Sequence, residues 1–344
     1  MISSPPAPRR RPVRTTSACA LVAVVVLVLL TLVVSTPDST AGSWAYLVVS
    51  VGGAVAAWTA DRRRPENRRG RFPFVPITLS LNALGDVLWQ VVVWTTGSAP
   101  DVSVADLAYL ASYVALGATT MTGRIGGRPR AGARVYPALD GAAALAVALL
   151  VTYQTSIAGT LADHGEPALT RAVWIAYPVL DALLIGLFAW RVVWQGRLRP
   201  GAALLLAGAL CWLASDLGWL VLADPDANTG WLNAGWLLGV LALAAVTWTP
   251  HNASSPVPAR SPGHGPWRMA LNVAPFAAPA LIEVIAWNQG IDVNPLPGLV
   301  VWGVLLVLTT VRTRVVALDG ERAWDVVRSP VSYTHLTLPT ILRV

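Results

Sequence analysis

The chain has 344 residues, of which 55% are hydrophobic and only 12% charged, with a net charge of +7; a soluble domain carries about 25% charged residues. Apolar stretches of membrane-spanning length occupy nearly the whole chain and leave no room for a soluble domain of about 100 residues. These figures exclude a water-soluble enzyme and a complete catalytic domain outside the membrane.

Residues 1–16 form a basic tail containing Arg9, Arg10, Arg11 and Arg14. A bilayer core about 30 Å thick needs roughly 20 residues of apolar helix. Ten segments of that kind follow: 17–35, 44–60, 74–95, 104–122, 137–156, 172–193, 201–223, 231–249, 269–287 and 296–312. The first has the basic flank of a signal peptide, but its apolar run is long for one and no clear small-x-small cleavage site follows, so it reads as a retained helix.

The connections alternate in charge. Arg62, Arg63, Arg64, Arg68, Arg69 and Arg71 follow the second segment, and Arg124, Arg128, Arg130 and Arg134 the fourth. Arg197 and Arg199 follow the sixth, Arg260 and Arg268 the eighth, and Arg312 and Arg314 close the tenth. The intervening connections are neutral or acidic (Asp38, Gly97 to Asp101, Asp163 and Glu166, Asp224 and Asp226, Asn288 to Pro295), with Arg171 the exception. Basic residues at every second connection follow the positive-inside rule. The expected fold is therefore an all-α, polytopic membrane helix bundle of about ten transmembrane helices, with both termini cytoplasmic, in the plasma membrane.

All 25 basic residues are Arg, a bias typical of a GC-rich bacterial genome. Because most lie in short loops, they point to orientation in a lipid bilayer and not to nucleic acid. Cys19 and Cys211 lie inside apolar segments and read as small hydrophobes. His164, His251, His264 and His335 show no metal-ligand spacing, and no phosphate-binding or nucleophile motif is present, so neither metal, cofactor nor catalytic residue is expected. Eight of the tryptophans (Trp44, Trp94, Trp174, Trp194, Trp231, Trp248, Trp267, Trp287) fall near segment ends, as interfacial anchors do.

An acid at mid-bilayer costs roughly 2.5–3.5 kcal/mol on insertion scales, so each needs a partner, a proton or a polar interior. Asp86, Asp181 and Asp216 are well inside their segments, Asp106 opens the fourth and Glu283 comes late in the ninth; Asp140 reads as interfacial. With the termini inside, these acids line the midplane and the outer half. Helical spacing gives Asn82, Asp86 and Trp89 one face, and Asp106, Tyr109 and Tyr113 another. Tyr177 precedes Asp181 by one turn, and Trp212 and Trp219 flank Asp216. The candidate ligand-binding set is Asp86, Trp89, Asp106, Tyr109, Tyr177, Asp181, Asp216 and Trp219. It would serve a small polar or cationic ligand from the extracytoplasmic side, or a proton; the same acids could instead serve only to fix helix packing. Gly85-Asp86-Val87-Leu88-Trp89 echoes Ser215-Asp216-Leu217-Gly218-Trp219 four segments later, the separation a parallel duplication requires.

The segment Asp101-Val-Ser-Val-Ala-Asp106-Leu-Ala-Tyr109-Leu-Ala-Ser-Tyr113 resembles the P-S-x-A-D-x-x-Y-L-x-x-Y segment of actinobacterial multi-span sensor regions that precede GGDEF and EAL domains. Ala176-Tyr177-Pro178-Val-Leu-Asp181 is similar to that family's A-Y-P-x-x-D, and Ala214-Ser-Asp216 to its later A-D. The likeness covers roughly residues 75–250. It departs at Asn233-Ala-Gly-Trp236, where an acid is expected shortly before the Trp. The resemblance implies a sensory input module of a cyclic-di-GMP signalling protein, with a diguanylate cyclase or phosphodiesterase domain beyond the tenth span and a homodimer formed through it. Residues 313–330 would begin the cytoplasmic linker. Val331-Ser-Tyr-Thr-His-Leu-Thr-Leu-Pro-Thr340 looks like a translated sequencing adapter, so 331–344 is set aside as an artefact and the output domain is expected to be truncated. The alternative is a secondary transporter using Asp86, Asp181 and Asp216 as proton or cation sites.

Overall fold

The computed structural model describes residues 40–63, 73–122, 135–194, 200–222, 230–249, 266–288 and 294–328. The basic tail, the segment 17–35 and the stretch 331–344 lie outside the described residues. All regular structure among the described residues is helical. In chain order the helices are α1 (Thr40–Arg62), α2 (Phe74–Thr96), α3 (Val104–Ala118), α4 (Val135–Thr152), α5 (Ala158–Ala162), α6 (Ala168–Trp194), α7 (Pro200–Leu222), α8 (Gly230–Trp248), α9 (Pro266–Asn288) and α10 (Leu296–Arg328).

Among the described residues, six stretches are long and apolar enough to cross a membrane: Thr40–Arg62, Phe74–Thr96, Ala138–Ala162, Ala168–Trp190, Pro200–Leu220 and Leu296–Leu318. These make the molecule a multi-pass membrane helix bundle. The apolar stretches Val104–Ala118 and Leu232–Trp248 are shorter, and α9 carries Pro275 and Pro279 inside it.

Local chemistry sets several boundaries. Ser103 starts α3 with a capping box: its hydroxyl accepts from the Ala105 N–H at 3.2 Å, and its own N–H donates to Asp106 at 2.7 Å. Gly97 ends α2 at φ 74°, with its N–H on the Val93 carbonyl at 2.9 Å. Beyond α3 the chain tightens into a 3-10 turn over Thr119–Thr122, which completes the stretch expected to span. Beyond α4 a π turn over Tyr153–Ile157 carries the chain on into α5, so this rod ends at Ala162 and not at 156.

Six helices close into a ring in the order α1, α2, α3, α6, α7, α8, with α8 returning against α1. Its interior is apolar around Leu79, Leu116, Phe188, Leu205, Val240 and Leu243. α1 contributes a face of small residues, Ser50, Gly53, Ala54, Ala57 and Ala60, all buried, which lets its backbone approach its neighbours closely in lipid. α4 packs outside the ring on α6, where a Cβ on Gly141 would stand 2.9 Å from the Gly186 carbonyl oxygen. α9 and α10 pack in turn on α4. α10 is mostly uncovered, and Asp140 of α4 holds its Arg312 with Nε–Oδ1 at 3.4 Å.

Candidate functional site

The acids and aromatics meet inside the ring, and α3 is the hub. Three residues on one face of that helix reach three different neighbours. Asp106 accepts from the Tyr177 hydroxyl of α6 at 2.6 Å. One turn on, the Tyr109 hydroxyl donates to Asp86 of α2 at 2.9 Å. After another turn, the Tyr113 hydroxyl donates to Asp216 of α7 at 3.1 Å. Asp106 thus has two roles, since its other oxygen accepts the capping N–H of Ser103.

Asp86 is buried at 5% exposure. Besides Tyr109 it accepts from the Ser50 hydroxyl of α1 and from Asn82 Nδ2, one turn earlier on its own helix, at 3.2 Å. Three helices therefore converge on one carboxylate, which offsets the cost of burying it. Gly85 makes this possible: a Cβ there would lie 2.5 Å from the Tyr109 ring. Asp216 has a parallel arrangement. Its Oδ1 accepts from Trp236 Nε1 of α8 at 2.6 Å while its Oδ2 accepts from Tyr113. Ser215, the residue before it, donates to the Leu232 carbonyl at 3.1 Å and lies against Gly235. In both members of the sequence echo, then, a small residue admits the following helix and the acid takes a proton donor from that helix.

The fourth acid differs. Asp181 is fully buried, and neither carboxyl oxygen receives a donor of hydrogen-bonding geometry. The Tyr113 ring stands edge-on to Tyr177 with centroids 6.0 Å apart, and the Trp212 ring lies 5.4 Å from Tyr113. Trp212 Nε1 is itself occupied by the Trp236 carbonyl at 3.2 Å.

The candidate residues thus fall into two groups. Asp86, Asp106, Tyr109, Tyr177, Asp181 and Asp216 come together between the ring helices. Trp89 and Trp219 stand at its margin, 37% and 48% exposed, although Trp219 still faces the Trp236 ring at 6.2 Å. Glu283 is exposed on α9, beside Gly298 of α10 and away from the network. Ser50, Tyr113 and Trp236 belong to the network but not to the candidate set. Trp236, shortly before which an acid was expected and Asn233 stands, supplies a donor to Asp216. No group of three His, Cys, Asp or Glu side chains suited to a metal occurs among the described residues.

The Asp106–Tyr177 bond joins two helices through a single hydroxyl. Tyr177→Phe is expected to lower stability by about 1 kcal/mol, within the range of interhelical hydrogen bonds in bilayers, read as a shift in the unfolding transition of the purified protein in detergent. No family model matches the chain, and no curated protein or solved structure is significantly similar to it.

Proposed function

We propose that this bundle is the membrane-embedded input module of a cyclic-di-GMP signalling protein, crossing the plasma membrane ten times with both termini in the cytoplasm. A small polar or cationic ligand entering from the extracytoplasmic side would compete for the donors that tie Asp86, Asp106 and Asp216 to their neighbours. The ligand's effect on packing would then reach a cytoplasmic cyclase or phosphodiesterase domain, with dimer formation through that domain.

The observation that carries this reading is α10. It is one helix of 33 residues, about 50 Å long at 1.5 Å per residue. Its apolar stretch, Leu296–Leu318, takes up 23 of them, so the same rod continues for several turns past a bilayer's thickness. A rigid helix leaving the membrane, fastened to the bundle by the Asp140–Arg312 pair, is suited to transmit displacement and has no evident use in moving a solute. The transporter reading draws support from the unpaired Asp181. Against it, α6 stays helical through Pro178, three residues before that acid, where a transporter site is typically built from a broken helix.

A chimera tests the proposal. A diguanylate cyclase domain is fused in helical register after Arg328 and its product is measured in cells. Asp86→Asn, Tyr109→Phe and Arg312→Gln are each expected to change cyclic-di-GMP output severalfold at equal protein level. Unchanged output in all three would remove the input-module reading.

A further inference from the structure

Arg312 of α10 is a charged side chain turned in against α4, 15% exposed, with Asp140 opposite it at 13%. The Asp140 Oδ1 stands 3.4 Å from Nε, close enough to attract but not aligned to accept its hydrogen. Nε and Nη1 are both buried, and neither has a hydrogen-bond acceptor among the described residues. Buried donors on a charged group are costly to leave unmet. Beside them, between α4, α9 and α10, is a recess of about 20 Å³, lined by Ala143, Pro275, Leu308 and Thr309 around the ion pair. It has room for one oxygen atom of a larger ligand. The apolar stretch of α4 begins at Ala138, just before Asp140, and that of α10 ends at Leu318, soon after Arg312. At 1.5 Å per residue the pair lies within about 9 Å of one membrane boundary, a depth from which an arginine reaches headgroups. From Arg312 toward the middle of the membrane, Val311, Val307, Val304 and Val300 form one exposed stripe of α10 at helical spacing.

We propose that this recess binds an anionic glycerophospholipid, with a phosphate oxygen seated beside the Arg312 guanidinium and an acyl chain along the valine stripe. A guanidinium fork suits the several acceptor oxygens of a phosphate, and basic pockets between helices near a membrane surface take lipid headgroups. Asp140 is a competitor for the same cation. Its carboxylate attracts Arg312 without a hydrogen bond, so a phosphate oxygen aligned with an N–H replaces a poorer partner. A soluble phosphate has no chains and gains nothing from the stripe. The site goes beyond the input-module reading and borrows only its orientation, which turns this boundary toward the cytoplasmic leaflet where anionic lipids gather. Through Arg312, such a lipid acts on the fastening of α10 to α4.

Thermal unfolding of the purified full chain in detergent, titrated with phosphatidylglycerol, tests the site. Wild type is expected to show a saturable rise in melting temperature that diacylglycerol with the same chains does not give. Arg312→Gln should weaken the apparent affinity about tenfold or more. Ala143→Leu, which fills the recess and leaves the ion pair in place, should weaken it too. Asp140→Asn should strengthen it, because the competing carboxylate is gone. Opposite signs at Arg312 and Asp140 separate a lipid site from a plain ion pair, whose two halves would fail alike. No rise with phosphatidylglycerol, an unaltered response in Ala143→Leu, or weaker binding in Asp140→Asn overturns the proposal. So does an equal rise with inorganic phosphate, which would give the site to a soluble anion. Should Arg312→Gln fail to accumulate, the other two variants carry the test. No cyclase enters these readouts, so the site and the input-module reading fail separately.

Discussion

Asp216→Ala is expected to destabilise the bundle by roughly 2–4 kcal/mol, since a stranded buried donor costs about 1–3 kcal/mol in general and somewhat less in a bilayer. Truncation leaves the Tyr113 hydroxyl and Trp236 Nε1 without their acceptor. Two buried polar groups, on α3 and α8, are affected by one change. Asp216→Asn keeps an amide oxygen for one of the donors and should cost only about 1 kcal/mol. Reversible unfolding in mixed detergent would measure both. Equal losses for the two variants would mean that the site depends on the charge of Asp216 and not on its acceptor oxygens.

The second large effect lies outside the ring. Where α4 meets α6, a Cβ on Gly141 would stand 2.6 Å from the Trp190 Cβ and 2.9 Å from the Gly186 carbonyl oxygen, and one on Gly186 would stand 2.8 Å from the Leu145 Cβ. Backbone is the obstacle, so rotamer changes cannot relieve it. Gly141→Leu is expected to cost about 3 kcal/mol or more, at the upper end for overpacking, and to release α4 together with the α9 and α10 helices that rest on it. Gly52 is the matched control: it is exposed and a Cβ there meets nothing within 4 Å. Gly52→Ala should be neutral or stabilising by up to about 1 kcal/mol. Folded yield from membranes, followed by a thermal melt, separates the two cases.

Periodicity made part of this architecture legible. Most helix ends lie within a few residues of the expected segments because apolar length is written locally, and the face shared by Asp106, Tyr109 and Tyr113 follows from 3.6 residues per turn. The Asn82–Asp86 contact is legible for the same reason. The spacing does not say which helix each residue addresses. That Tyr109 selects α2 and Tyr113 selects α7 depends on the ring order, which loops of this length leave open. Ser50 was hidden because one hydroxyl in an apolar helix has no periodic signal. Trp89 shared a nominal face with Asp86, yet three residues along a helix turn it about 60° aside, enough to place it on the ring's shoulder. The rod through α4 and α5 runs past its expected end because the helix continues beyond the π turn through Ala158–Ala162, within an apolar stretch that extends to Ala162.

The ring has two junctions between distant parts of the chain, and they differ in kind. Between α8 and α1 the contact has Gly53 closely fitted beneath Val240 and, at its end, the Arg63 guanidinium 5.5 Å from the Trp248 ring centroid. Between α3 and α6 the surfaces are fastened by the Tyr177–Asp106 bond and the crossed rings of Tyr113 and Tyr177. Mechanically the barrel of helices is therefore joined in two ways, one seam clasped by a cation on an indole and the other pinned by one phenol on one carboxylate.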